Sequence, residues 1–232
     1  MKENLTELVF ILDRSGSMHN LEEETIVGFN SLVDKQRKNS TETLLTVILF
    51  DNEYKVLYKR ENVNQIRPLT NKEYFARGST ALLDAIGKTI DGVGKTLLYT
   101  SEEDRPSKIL FVIMTDGKEN ASCLYTSEQI REKITHQKEK YSWEFLFLGA
   151  NIDTVTTAGQ IGISADRAAQ YSCDVRGIRN CFNEALVLAV DEFRDDKEIS
   201  TSWKKILESD IERKNAMDRI ENRRKKRLWM KD

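Results

Sequence analysis

Three short stretches carry oxygen donors that could act together. Asp13-Arg14-Ser15-Gly16-Ser17 offers one carboxylate and two hydroxyls spaced by two. Gly78-Ser79-Thr80 adds a hydroxyl at the start of a helical pattern, and Thr115-Asp116-Gly117 adds a second carboxylate. Groups spaced by two converge on one point only where the backbone turns sharply, and Gly16 permits such a turn. None of these donors is sulfur or imidazole. Hard cations of the magnesium class take oxygens in octahedral array and keep some positions for water. The donors of these three stretches therefore read as oxygen ligands for a hard cation such as Mg2+ or Mn2+. Two carboxylates balance a dication, and one acting through water leaves the ion electrophilic enough to accept an outside carboxylate.

The elements that must position these groups follow from hydrophobic patterning. Leu8–Leu12 is continuously apolar, as a strand covered on both faces must be. Residues 20–38 then place Ile26, Phe29, Leu32 and Val33 on one helical face, with Asn20 and Glu23 as a capping pair. Thr43–Phe50 predicts a second strand, and Tyr54–Tyr58 alternates apolar residues with lysines like an antiparallel edge strand. Leu82, Leu83, Ile86, Ile90, Val93 and Leu97 recur at helical spacing. Ile109–Met114 and Phe145–Leu148 predict buried strands, Ser127–Tyr141 a helix, and Ala168–Cys173 a last short strand. A closing helix runs from Ile178 to Phe193. Strands alternating with helices predict an α/β Rossmann-like, doubly wound fold: a mostly parallel sheet, one antiparallel edge strand, helices on both faces. Ligands of such sheets bind beyond the carboxyl ends of the strands, where Asp13 and Asp116 fall.

Asp13-x-Ser15-x-Ser17, Thr80 and Asp116 resemble the metal-ion-dependent adhesion site of von Willebrand factor A domains, a module also found in integrins. The resemblance covers residues 5–190, and all five positions occur in family order. It implies hydroxyl ligation by Ser15, Ser17 and Thr80, with Asp13 and Asp116 acting directly or through water. Trp143–Asp153 is similar to small intracellular bacterial members, including those of tellurium-resistance and stress clusters. The implied partners are proteins that offer an Asp or Glu, among them AAA+ ATPases or kinase–phosphatase complexes.

Competing readings of the same residues are weaker. Strand-end aspartates also cap helices, but capping requires no hydroxyl loop at the same end of the sheet. A phosphotransferase built on Asp13 needs a second carboxylate two residues on, where Ser15 stands. A metal-assisted phosphohydrolase, the alternative function, would take His19 or an aspartate as base; no nucleophile partner is apparent for His19, which reads as rim. Gly92-Val93-Gly94-Lys95-Thr96 mimics the end of a P-loop, but Thr89 stands where the loop needs glycine and the segment is helical. On these grounds the chain is expected to bind, not to catalyse.

Composition sets the remaining bounds. Hydrophobic residues make up 39% and charged residues 32% of the 232, enough for a core beneath a charged surface. Three cysteines without close pairing suit a reducing compartment, and with no signal-like or bilayer-length apolar run the expected location is cytoplasmic, without a membrane span. Asn4-Leu5-Thr6, Asn39-Ser40-Thr41 and Asn120-Ala121-Ser122 then match the glycosylation pattern by chance. Net charge is −2, divided as −7 over residues 1–196 and +5 over 197–232. An acidic body gives no reason to expect nucleic acid. We assign residues 1–196 to the domain and 197–232 to a charged, helical tail. The apolar stripe of that tail is broken and Arg223-Arg224-Lys225-Lys226-Arg227 is basic, so a solvated helix is expected, removable from residue 200 without unfolding the domain.

Overall fold

The computed structural model describes residues 1–39 and 41–229, the last nine of them as backbone only. The run Arg223–Arg227 thus lies outside the described side chains, and Ser40 of the Asn39-Ser40-Thr41 pattern outside the described residues. Six strands form one sheet: β1 Lys2–Asp13, β2 Glu42–Phe50, β3 Tyr54–Asn62, β4 Pro106–Thr115, β5 Glu144–Gly149 and β6 Ala168–Gln170. Their order is β3-β2-β1-β4-β5-β6, parallel throughout except that β3 returns antiparallel to β2. β3 sits at the edge and buries none of its residues fully, in keeping with its alternating lysines.

Period-two alternation along the strands builds two cores. Leu8, Phe10 and Leu12 of β1 join Leu110, Val112 and Met114 of β4 on one face. Val9 and Ile11 join Ile109, Phe111 and Ile113 on the other. The first face is covered by α1 (Glu22–Arg37), through Phe29, Leu32 and Val33, and by the closing helix. The second is covered by α2 (Leu82–Leu98), α3 (Ser127–Tyr141) and α4 (Thr154–Gln160). Thr126 and Gln129 form a reciprocal capping box at the start of α3.

Two sequence expectations change in detail. Asn20 does not cap α1: it takes a left-handed conformation (φ 69°), the N-cap is Leu21, and no cap hydrogen bond forms there. The closing helix is continuous but passes through α5 (Val175–Asn180), one π-helical turn (Cys181–Ala185) and α6 (Leu186–Arg194). Phe182 and Ala185 of the π turn are fully buried, so the wider turn still feeds the core.

The largest difference lies after residue 196. α7 (Ser202–Trp229) is one long helix, and its first turns are not solvated. Ile199, Trp203 and Leu207 belong to the same core as β1 and α1, with Trp203 wholly buried. Asp210, also buried, accepts from Asn180 Nδ2 at 2.6 Å and lies 3.3 Å from the Arg176 guanidinium. The periodicity looked broken because charged residues crowd a narrow apolar stripe that needs only Trp203 and Leu207 to dock.

Candidate functional site

The parallel register sets Asp13, the last residue of β1, beside Thr115, the last of β4. Thr115 Oγ1 donates to Asp13 Oδ2 at 2.6 Å, and the Ser15 N–H donates to Asp13 Oδ1 at 2.6 Å. The chain then tightens into a short 3-10 turn, Gly16–Met18, which brings the Ser15 and Ser17 hydroxyls within 2.9 Å of each other. Ser17 Oγ donates to Asp116 Oδ1. A β-carbon added to Gly117 would lie 3.0 Å from the hydroxyl oxygens of both Ser17 and Thr80, and 3.8 Å from that of Ser15. Three hydroxyls from two loops thus gather around one small space that glycine leaves open beside Asp116. All five residues expected at the site meet at this end of the sheet.

Thr80 stands there because its loop is tied from both sides. Asp51, buried after β2, accepts from Arg77 Nε at 2.8 Å and lies 2.9 Å from Arg14 Nε. The two guanidiniums flank Phe75, each 5.7 Å from the ring centre. Gly78 takes φ +67°, a region that favours glycine, and a side chain there would strike Asn52. The Gly78 carbonyl accepts from the Gly16 N–H at 3.1 Å, joining the first two loops. Asn120 joins the third: its Oδ1 accepts from the Thr80 N–H at 2.8 Å, and its N–H donates to the Thr80 carbonyl at 3.1 Å. Asp84 of α2 accepts from the N–H groups of Cys123, Leu124 and Tyr125, and Glu119 accepts from Leu83 N–H, fastening the Asp116 loop to α2. Tyr74 donates to the Asp13 carbonyl at 2.5 Å from below.

Electrostatically the site is short of positive charge. Burial pushes the Asp13 carboxyl up to about 6, against the hydrogen bonds from Thr115 and Ser15. Asp116 is likewise raised by burial, and its Oδ2 is buried without a hydrogen-bond partner. Such an oxygen costs free energy unless something pairs with it. No three His, Cys, Asp or Glu side chains gather to hold a metal among the described residues. An ion at this end would therefore depend on hydroxyls beside the two carboxylates. That donor set, all oxygen, carrying two formal charges and one orphaned lone-pair site, fits a small hard dication.

The family model for the von Willebrand factor type A domain matches residues 7–198. The chain belongs to this family. A search of curated proteins found no match. Among solved structures, this von Willebrand factor A domain is similar to proximal thread matrix protein 1 from the mussel byssus with a zinc-occupied MIDAS motif: 14% identity, TM-score 0.55, covering 82% of this chain and 47% of that one. A von Willebrand factor type A protein from Catenulispora acidiphila gives 17% identity and TM-score 0.52, covering 81% and 42%. Manganese-loaded TRAP protein of Plasmodium vivax gives 16% and 0.50, covering 78% and 73%. At these identities the likeness is one of fold. The chain spans about half the length of the mussel protein.

Some groups that build the site carried no signal of their own. Thr115 stands out only as a neighbour of Asp116, and Asp51 and Asn52 merely fall between two predicted strands. Asn120 and Glu119 follow the aspartate by a few residues, and only the fold shows that the first reaches Thr80 and the second α2. His19 is exposed, with Nδ1 3.4 Å from the Glu22 carboxylate.

Proposed function

We propose that this domain is a metal-dependent protein-binding module. Ser15, Ser17, Thr80, Asp13 and Asp116 would hold one Mg2+ or Mn2+, and the partner would supply an Asp or Glu. The carrying observation is the gathering of three hydroxyls beside Asp116, whose second carboxylate oxygen is buried and unpartnered. When bound, the dication would offer an outside carboxylate a Lewis-acidic position. Asp13 keeps both oxygens engaged by Thr115 and Ser15, so its part is to fix the first loop and add negative charge. Asp116 is the carboxylate with an oxygen to give. Thr80, held only by its backbone to Asn120, leaves its hydroxyl free to choose between direct contact and water.

Binding rather than catalysis suits these residues. The base that a phosphohydrolase would draw on, His19, stands beside Glu22 at the exposed rim. A module of this kind would scaffold or regulate a cytoplasmic complex, with an AAA+ ATPase or a kinase–phosphatase pair as the class of assembly. Among the described residues no helix is long and apolar enough to cross a membrane.

Magnesium or manganese should raise the melting temperature, since a ligand of the folded state alone stabilises by about 2.7 kcal/mol at a hundredfold excess over Kd. Asp116→Ala should remove the shift and leave the fold intact. Thr80→Ala should weaken partner capture more than metal binding. A full metal response in both Asp13→Ala and Asp116→Ala sinks the assignment. Sustained turnover of a phosphate ester that Asp13→Ala abolishes would instead favour the enzyme.

A further inference from the structure

The direction of α7 relative to the sheet gives it a position that its sequence did not suggest. Near its start, Lys204 Nζ donates to the Ala165 carbonyl at 2.5 Å, just before β6 begins. Ten residues later, Lys214 Nζ donates to the Cys173 carbonyl at 3.4 Å, just beyond the carboxyl end of β6. β6 is parallel to β5, and β5 to β4, so that end is the one carrying Asp13 and Asp116. α7 therefore climbs the edge of the sheet toward the metal-type site and continues past it. The fifteen residues from Asn215 to Trp229 would extend about 22 Å at 1.5 Å each.

This extension leaves the core behind. Every residue from Asn215 to Ile220 is exposed, including the apolar Met217 and Ile220. Between Ala216 and Trp229 the sequence carries six basic residues and two acidic ones. Lysines and arginines in a last turn complement the helix dipole, but that effect fades within one turn, and here the basic residues begin at Arg219. A helix of about fifteen residues is marginal in water by itself. Laterally, β6 lies two strands from β4, or about 10 Å. A patch of about 800 Å², the usual share of one partner, is wide enough to cover both the site and the helix.

We infer that the projecting half of α7 is a second contact for the partner that Asp116 and the hydroxyl cluster engage, and that it selects an acidic protein surface. This rests on the metal-dependent reading above. One feature asks for a single carboxylate, and the other for several around it. Together they favour a surface rich in Asp and Glu over an isolated acidic side chain, and the −7 body repels such a surface everywhere else.

The test uses the full chain, Mg2+ and labelled poly-L-glutamate as the probe, followed by fluorescence anisotropy at low salt. One variant combines Arg223→Glu, Arg224→Glu, Lys225→Glu, Lys226→Glu and Arg227→Glu; none of these belongs to the hydroxyl and carboxylate cluster, so its magnesium-induced melting shift should equal the parent's. It should bind the probe at least about tenfold more weakly. Chelator should weaken the parent further. Binding that chelator abolishes and charge reversal leaves untouched overturns the helix contact alone. Binding that charge reversal abolishes and chelator leaves untouched overturns the metal reading and the shared footprint with it. Random duplex DNA that binds more tightly than the probe, or self-association that the reversal dissolves, overturns the assignment to an acidic partner.

Discussion

The two ends of the sheet are built on opposite terms. At the carboxyl end, Asp13, Arg14, Asp51, Thr80, Asp84 and Asp116 are all buried, and polar contacts hold three loops in place. At the amino end, Trp143 stacks on Phe111 with ring centres 5.2 Å apart, and Trp203 roots α7 in the core. A cavity of about 430 Å³ opens there among Leu97, Leu98, Ile109, Tyr141 and Trp143. Buried charge is costly, so the carboxyl end holds its geometry at the expense of stability that apolar burial elsewhere supplies. Damage at one end should change folding and spare ligand response; damage at the other should do the reverse.

The largest effect should come from α7. Trp203→Ala removes a fully buried indole and is expected to cost about 3–5 kcal/mol by denaturant unfolding, with magnesium still raising the melting temperature. Deleting residues 200–232 removes Leu207 as well and should cost more than half of a typical domain's 5–15 kcal/mol. A truncated chain as stable as the parent would erase the distinction between the ends.

Gly117→Ala tests the other end. Its β-carbon would sit 3.0 Å from two hydroxyls that can swing aside, so stability should fall by about 1 kcal/mol, the low end of overpacking. The metal-induced shift in melting temperature should vanish. If metal response survives and stability collapses instead, the space beside Asp116 is structural.

The smallest effect concerns Glu7, a buried acid midway along β1 that accepts from Thr46 at 3.0 Å and lies 3.0 Å from Arg60. Burial raises its pKa above the ordinary carboxylate value despite Arg60. The folded state thus holds this proton more tightly than the unfolded state. The stabilisation is complete below about pH 4.5 and is lost as pH rises through the raised value. Glu7→Gln should flatten the stability profile in that window, measured by melting between pH 4 and 7. An unchanged slope would mean that Arg60 fully compensates the burial.

How much of this was legible in the sequence depended on which interactions are local. The strands showed as continuous apolar runs, and α3 as a helical period between Ser127 and Tyr141, because each reflects burial on a fixed lattice. Asp13, Ser15, Ser17 and Asp116 could be placed at one end of the sheet because each follows directly on a strand, whereas Thr80, after the long stretch between β3 and α2, was singled out by the family resemblance. The staples were not. Asn120 bonding to Thr80, and Arg77 bonding to Asp51, join residues whose proximity exists only after the sheet forms. The root of α7 failed for a different reason. Two buried apolar residues among many charged ones hardly perturb a sequence pattern, yet Trp203 alone fills a large volume in the core.

The site draws on residues near positions 13, 80 and 116, joined through two parallel strand pairings and a crossover. Parallel pairing demands long loop closure before any contact rewards it, so these three stretches meet late in folding. Until then each segment is a lone carboxylate or hydroxyl in water, with no more grip on a cation than any other. On the proposed function, recognition through this site would be reserved for finished molecules. On the same reading, a nascent or partly unfolded chain would not compete for a partner, and a destabilising lesion anywhere in the core would lower occupancy in proportion to the folded fraction.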